Sequence, residues 1–357
     1  MYKRNRPILP TWLTLALSVA FVLSGVSVSA FMFLTADAAL NHPLNPLEQA
    51  AQQAAGTALP PLVQVGPAPL ATLPPGQPTP TLFPTTEPWE GNDRVTILLM
   101  GIDRRPGEPF ISRTDTMMLI SMDPVAKTIS MLSVPRDLYV VIPGRGRDRI
   151  NTAFVYGSVG NNPAAGAALA MQTVQYNLGV PINHYVLVDF QAVIQAIDTI
   201  GGIDVDVPFT IDDPNYPTMD YGIERLFIPA GRQHLDGTTA LKYARTRHPD
   251  NDFGRASRQQ QVILAVRAKV LSLGLGQLLL QAPALYQQLG EGIRTDLSLE
   301  QMLRLAQTAG EIPSENIRNE VLDTNYVVDY QTDAGARVLI LVNEKAAPLI
   351  QELFYQE

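Results

Sequence analysis

The sequence predicts an α/β fold: a three-layer α/β/α domain with a mixed central sheet, preceded by one transmembrane helix and a disordered Pro-rich linker. Three observations lead there. Residues 7–36 carry no charge, and within them residues 13–34 are long enough to cross a bilayer. Residues 58–88 are crowded with Pro, Ala, Thr and Gly and show no apolar periodicity. From residue 93 onward, short apolar runs of strand length mix with helical spacings, without strict alternation.

The 357 residues leave room for more than one domain. The composition, 46% hydrophobic and 17% charged, is that of a folded protein, and the net charge is -8. That balance argues against wholesale nucleic-acid binding, which leaves a basic footprint. There is no cysteine, so disulfides, thiolate catalysis and Cys-ligated zinc are excluded. His42, His184, His234 and His248 lack paired zinc spacing, and no nucleophile elbow or Walker sequence occurs.

Taken in order, residues 1–36 are a cytoplasmic tail and anchor. Lys3, Arg4 and Arg6 precede the apolar run and Asp37 follows it. This places the N-terminus in the cytoplasm and the rest outside a plasma membrane crossed once. A cleaved signal peptide is the alternative, but its apolar region is usually shorter. Residues 37–92 are the linker. Residues 93–273 are the main domain, and residues 274–357 an acidic α/β extension.

Strands are expected at 95–101, 116–122, 128–134, 138–142, 185–188 and 203–207. Helices are expected after Pro163 to about 178, and at 190–200, 236–243 and 255–273. Residues 143–149 read as a turn, and residues 208–230, rich in Pro and Asp, as a long loop. In the extension, helices are expected at 277–289 and 299–309, the second opened by a Ser298–Gln301 capping box. Residues 326–328 and 338–342 read as strands.

The stretch 242–261, KYARTRHPDNDFGRASRQQQ, organises the chemistry. Arg245 and Arg247 are two apart and point one way if extended. Arg255 and Arg258 are three apart and share a helix face, with Gln259 and Gln261 following. Such guanidinium forks suit phosphate. Upstream, GIDRR (101–105) follows the first strand, RTDTM (113–117) precedes the second, and SVPRD (133–137) ends the third. Asp103 and Asp115 thus sit at strand ends, where an α/β sheet places its ligands. Two carboxylates with waters and phosphate oxygens make a magnesium shell. Singly, each aspartate also reads as a turn or cap residue. As a set, the residues read as a metal and an arginine cluster gripping a polyanion, most simply a pyrophosphate.

In the order GIDRR, RTDTMML, SVPRDLYV, INTAFVYG, IGGIDVDVP and LDGTTALKYARTRHPDNDFGRASRQQQV, the chain resembles the LytR-CpsA-Psr family of membrane-anchored cell-wall phosphotransferases, over about residues 95–269. The resemblance implies transfer of a glycan-1-phosphate from a polyprenyl-pyrophosphate carrier to a peptidoglycan hydroxyl. It implies Asp103 and Asp115 as Mg2+ ligands. It implies Arg105, Arg136, Arg245, Arg247 and Arg258 as pyrophosphate-binding, with Gln261 beside them. Arg113 and Asp137 would support these groups, and Asp252 would be the base on the acceptor hydroxyl. Arg104 stands where a small hydroxylated residue is common, and Asn251 where glycine is. Helices 190–200 and 262–273 could line a lipid tunnel, though the same residues read as core. A lipid pyrophosphate hydrolase and a non-enzymatic envelope protein are the alternative functions.

Overall fold

The longest apolar runs become β1 (Val95–Ile102), β2 (Thr114–Asp123) and β3 (Thr128–Ser133), which pair in chain order as an antiparallel meander. Asp123 closes the turn between the last two by accepting from the backbone N–H groups of Val125 and Ala126. The computed structural model describes residues 93–104, 108–218, 222–247, 250–274 and 290–355. The anchor, the linker, Arg105 and the helix expected at 277–289 lie outside the described residues. Among the described residues, no helix is long and apolar enough to cross a membrane.

A hairpin of β4 (Tyr139–Ile142) and β5 (Gly146–Arg149) follows the meander, then a short helix α1 (Ala153–Gly157) and the longer α2 (Pro163–Leu178). Sequence fixes the ends of α2. Asn162 caps it by accepting from the N–H groups of Ala164 and Ala165, and Pro163 stands at its first position. Gly179 ends it with φ 70°. Next come β6 (His184–Asp189) and α3 (Phe190–Thr199). Strand β6 runs parallel to β1.

The central sheet has six strands in the order β11-β6-β1-β2-β3-β12, where β11 is Ile293–Thr295 and β12 is Ile317–Val321. Pairings β6–β1 and β3–β12 are parallel and the rest antiparallel, so the sheet is mixed. Alternation along β1 decides which layer each side chain joins. Leu98, Met100 and Ile102 pack against Ala167, Ala170 and Val174 of α2 and against Leu349, Ile350 and Leu353 of α7 (Asn343–Phe354). Val95, Ile97 and Leu99 face the other way, toward Leu305 of α6 (Leu299–Glu311) and toward Ile263 and Leu264 of α5 (Asp252–Leu273). Helices therefore cover both faces. Each fully buried aliphatic side chain here contributes about 1.5–3 kcal/mol relative to exposure. The capping box that opens α6 forms as expected, with Ser298 and Gln301 bonding reciprocally.

Residues 208–230 are not a loop. They form β8 (Ile211–Pro217) and β9 (Ile223–Ile228), with a bulge between Asp213 and Tyr216. The bulge absorbs Pro214 and Asn215, residues poor for a regular ladder. Residues 143–149 likewise end in a strand, β5. A second ribbon pairs β7 (Ile203–Val207) with β10 (Gly231–Leu235). Ile197, Ile200, Val205, Leu226 and Val262 pack together beneath it, so both candidate tunnel helices contribute to packed core.

Helix α4 (Gly237–Arg245), capped by Asp236, lies against α3. A Cβ at Gly237 would stand 2.2 Å from the Ile194 carbonyl oxygen. The Gly237→Ala variant is therefore expected to cost about 1–3 kcal/mol in urea unfolding, the price of overpacking. An unchanged midpoint would show that the two helices can separate freely.

The last segment completes the sheet rather than standing apart, because residues 293–321 contribute both edge strands. A further ribbon of β13 (Val327–Gln331) and β14 (Arg337–Leu341) matches the strands expected there.

Candidate active site

The site begins with an irregularity in pairing. Gly101 pairs with Thr116, but Ile102 pairs with Thr114, so Asp115 is the extra residue of a β-bulge. Bulges re-aim side chains, and this one sits where β1 ends and releases Asp103. Both carboxylates line one cavity of about 390 Å3, with Phe190, Arg245, Arg247, Arg255 and Gln259 among its other walls.

Arg136 stands three residues beyond β3, after Pro135. Its Nη1 donates to Asp115 Oδ1 at 2.9 Å and its Nε to Asp252 Oδ2 at 3.0 Å, with Asp137 Oδ2 3.5 Å away. Burial works most strongly against its charge, yet Asp115, Asp252 and Asp137 together hold its pKa above the usual guanidinium value.

Helix α5 supplies the opposite wall, and its phase selects which residues face inward. Asn251 caps it, accepting from the N–H groups of Phe253 and Gly254. Its φ of -95° is ordinary extended backbone, so the glycine common at this position is not needed. Asp252, Arg255 and Gln259 are three and seven residues apart and share one face. Asp252 is a hub: one oxygen lies 3.0 Å from Arg247 Nε and 3.3 Å from Arg255 Nη1, the other 3.0 Å from Arg136 Nε. Arg255 also donates to the Asp115 carbonyl at 3.1 Å. Burial, opposed by Asp252 but helped by Arg247 and Arg136, pushes its pKa down to about 10. Its Nε has no hydrogen-bond partner.

Arg258 and Gln261 lie on another face of α5. Arg258 is buried and donates Nε to the Tyr243 carbonyl at 2.9 Å, with further bonds to Asp250 and the Thr246 carbonyl. Gln261 accepts from the Tyr243 hydroxyl. These two, expected from sequence at the pyrophosphate, stand behind the cavity and hold the α4–α5 connection. The inward residues are Arg255 and Gln259. The sequence places Arg255 among the phosphate-binding forks, whereas from this helix the family resemblance carries only Arg258 and Gln261 to the pyrophosphate.

Arg245 and Arg247 do not share an extended segment. Arg245 is the last residue of α4, and Arg247 lies two residues beyond. Arg245 donates to the Tyr216 hydroxyl at 3.0 Å, and its guanidinium carbon lies 4.2 Å from the Phe190 ring centroid. Its Nη2 is 3.6 Å from Asp103 Oδ2. Between the two arginines, Thr246 donates to buried Asp213 at 2.7 Å and fixes the chain. Arg104, the other departure from the family pattern, pairs with Asp189 at 2.8 Å and stacks 4.6 Å over Phe110. Arg113 is exposed outside the cavity.

The carboxylates of Asp103, Asp115, Asp213 and Asp252 thus meet four guanidiniums, those of Arg136, Arg245, Arg247 and Arg255. The guanidinium forks suit phosphate oxygens. A hard divalent cation also fits: Asp103 Oδ1 is buried with no hydrogen-bond partner, and Asp115 opens on the same cavity. Among the described residues no group of three or more acidic or histidine side chains could hold a metal alone. A cation here must complete its shell with water or substrate oxygens.

Comparisons with known proteins agree with this architecture. A model of the LytR_cpsA_psr family matches residues 74–353. The polyisoprenyl-teichoic acid–peptidoglycan teichoic acid transferase TagU of Oceanobacillus iheyensis is 35% identical over 219 residues, 61% of this chain and 63% of that one. TagV of Bacillus subtilis, named for the same activity, is 33% identical over 227 residues, 62% of this chain and 54% of its own length. The matches span less than two thirds of these relatives. The solved structure of TagT bound to LIIa-WTA superposes with a TM-score of 0.60 at 28% identity, covering 76% of this chain and 93% of that one. For B. subtilis TagV the values are 0.59, 29%, 74% and 99%.

Proposed function

The chain belongs to the LytR_cpsA_psr family, and on that premise we propose that it is a membrane-anchored, magnesium-dependent phosphotransferase of the cell envelope. It moves a glycan-1-phosphate from a polyprenyl-pyrophosphate carrier to a peptidoglycan hydroxyl, outside the plasma membrane. The observation that carries this reading is the convergence of Arg245, Arg247 and Arg255 on a cavity that also holds Asp103 and Asp115, with Arg136 bonded to Asp115 at its edge. The relatives named as teichoic acid transferases supply the substrate class.

Phosphoryl transfer asks a protein mainly for positioning and charge stabilisation. Arg245, clamped against Phe190 and Tyr216, and Arg255, whose Nε is unpartnered, grip the pyrophosphate. Asp103 and Asp115 would hold magnesium, which supplies charge neutralisation on the diphosphate. Asp252 gives up a guanidinium to the incoming phosphate, and the freed oxygen takes the proton of the acceptor hydroxyl. The acceptor oxygen bonds to the glycan-bearing phosphorus as its bond to the bridging oxygen breaks, and prenyl phosphate leaves.

Arg245→Ala and Arg247→Ala are expected to abolish transfer in a membrane assay with unchanged thermal melting, and chelation of divalent cations to do the same to the wild type. Normal transfer by both variants would defeat the proposal. Release of free glycan phosphate without a peptidoglycan-linked product would identify a hydrolase. Binding of the lipid with no turnover would identify a non-enzymatic role.

A further inference from the structure

The chain carries a net charge of -8, yet one face is basic. Arg145 and Arg147 stand exposed on the β4–β5 hairpin. Arg149 follows on β5, its Nε 3.0 Å from Asp137 Oδ1. Arg113, also exposed, is close enough to Tyr156 to act on its hydroxyl electrostatically. Arg145 donates to the Tyr156 carbonyl at 3.2 Å, and the Tyr156 hydroxyl donates to Asp148 at 2.5 Å. Four guanidiniums thus stand around the hairpin against two carboxylates, Asp137 beside Arg149 and Asp148 beside Tyr156. Tyr156, 36% exposed, adds an aromatic surface among them.

This face is continuous with the active site. Asp137, the partner of Arg149, also lies 3.5 Å from Arg136. A chain attached to a phosphorus held at Arg136 is thereby delivered to the hairpin at high effective concentration. Exposed guanidinium forks match phosphodiester oxygens, and a tyrosine ring matches the apolar face of a sugar or polyol.

We propose that the β4–β5 face, with Arg145 and Arg147 at its centre, is the docking surface for the anionic glycan of the donor. Its phosphodiester groups run from the active site across the hairpin. The inference rests on the transfer function proposed above and names the part of that substrate which the cavity does not hold.

The test uses the full-length chain in detergent and the double variant Arg145→Glu, Arg147→Glu, with Arg145→Gln, Arg147→Gln as a milder pair. Two donors are compared: polyprenyl pyrophosphate carrying a glycerol-phosphate oligomer, and one carrying a neutral disaccharide. The reversal is expected to raise KM for the phosphodiester donor about tenfold more than for the neutral one, and added salt to narrow the gap. Wild type is also expected to bind free poly(glycerol phosphate), and the reversal to abolish that binding. Equal effects on the two donors would overturn the proposal, as would an effect on the peptidoglycan KM alone, which would assign the face to the acceptor. If wild type transfers neither donor, the transfer function fails and polymer binding alone decides. Absence of wild-type binding then overturns the docking surface too.

Discussion

Arg136→Ala is expected to lower transfer by about 10^2–10^3-fold while the domain stays folded, because the arginine acts as a preorganised charge clamp. Its Nη1 holds Asp115 and its Nε holds Asp252, so it joins a proposed metal ligand to the proposed base. Without it, Asp115, Asp137 and Asp252 face one another and an incoming pyrophosphate with one fewer cation between them. Its side chain is 20% exposed, and water can fill the space it leaves. Arg136→Lys should recover only part of the loss, since one ammonium cannot reproduce two directed bonds on opposite sides of a planar fork. Single-turnover transfer with thermal melting as a control reads this directly. Activity within about tenfold of wild type for the alanine variant would remove Arg136 from the machinery.

The second large effect separates two arginines three residues apart. Arg258→Ala is expected to destabilise the fold by about 3–5 kcal/mol, because it removes a buried guanidinium and strands half-buried Asp250 and the carbonyls of Tyr243 and Thr246. Arg255→Ala should do the reverse. Its charge already sits against a burial penalty, with its pKa pushed down to about 10, so little stability is lost on removal. Transfer should instead fall steeply, because its donors face the cavity. Urea unfolding and transfer measured on both variants give a two-by-two comparison. The opposite pattern, with Arg255 structural and Arg258 needed only for turnover, would mean that the inward face of α5 has been assigned to the wrong residues.

What could be read from sequence followed the strength of the local signal. The runs at β1, β2 and β3 are long and apolar, and Asn162, Asp236 and Ser298 announce their helices by cap chemistry. Asp103, Asp115 and Arg136 were legible because charge at the end of an apolar strand has few structural explanations. The β8–β9 hairpin was hidden because Asp212, Asp213, Pro214 and Pro217 are turn formers, and only the buried side chains of Ile211, Asp213 and Tyr216 mark it as a strand. Strand β11 has three residues, too few for any periodicity. The bulge at Asp115 depends on a pairing that no single strand encodes. The choice between Arg255 and Arg258 turns on helix phase, which a cap at Asn251 sets and a motif match does not.

The placement of β11 and β12 has a consequence for synthesis. A ribosome adds residues from the N-terminus, and domains generally begin to fold as soon as their parts emerge. When residue 273 has been made, β6, β1, β2 and β3 exist, but the two strands that flank them do not. The nascent intermediate then exposes the backbone N–H and C=O groups of β6 on one side and β3 on the other, both free to recruit a neighbouring chain. Each waits for a short segment, residues 293–295 for β6 and 317–321 for β3. The final fifth of the chain is thus a self-supplied pair of end covers, and a stop codon anywhere before it leaves an adhesive remnant rather than a smaller working domain.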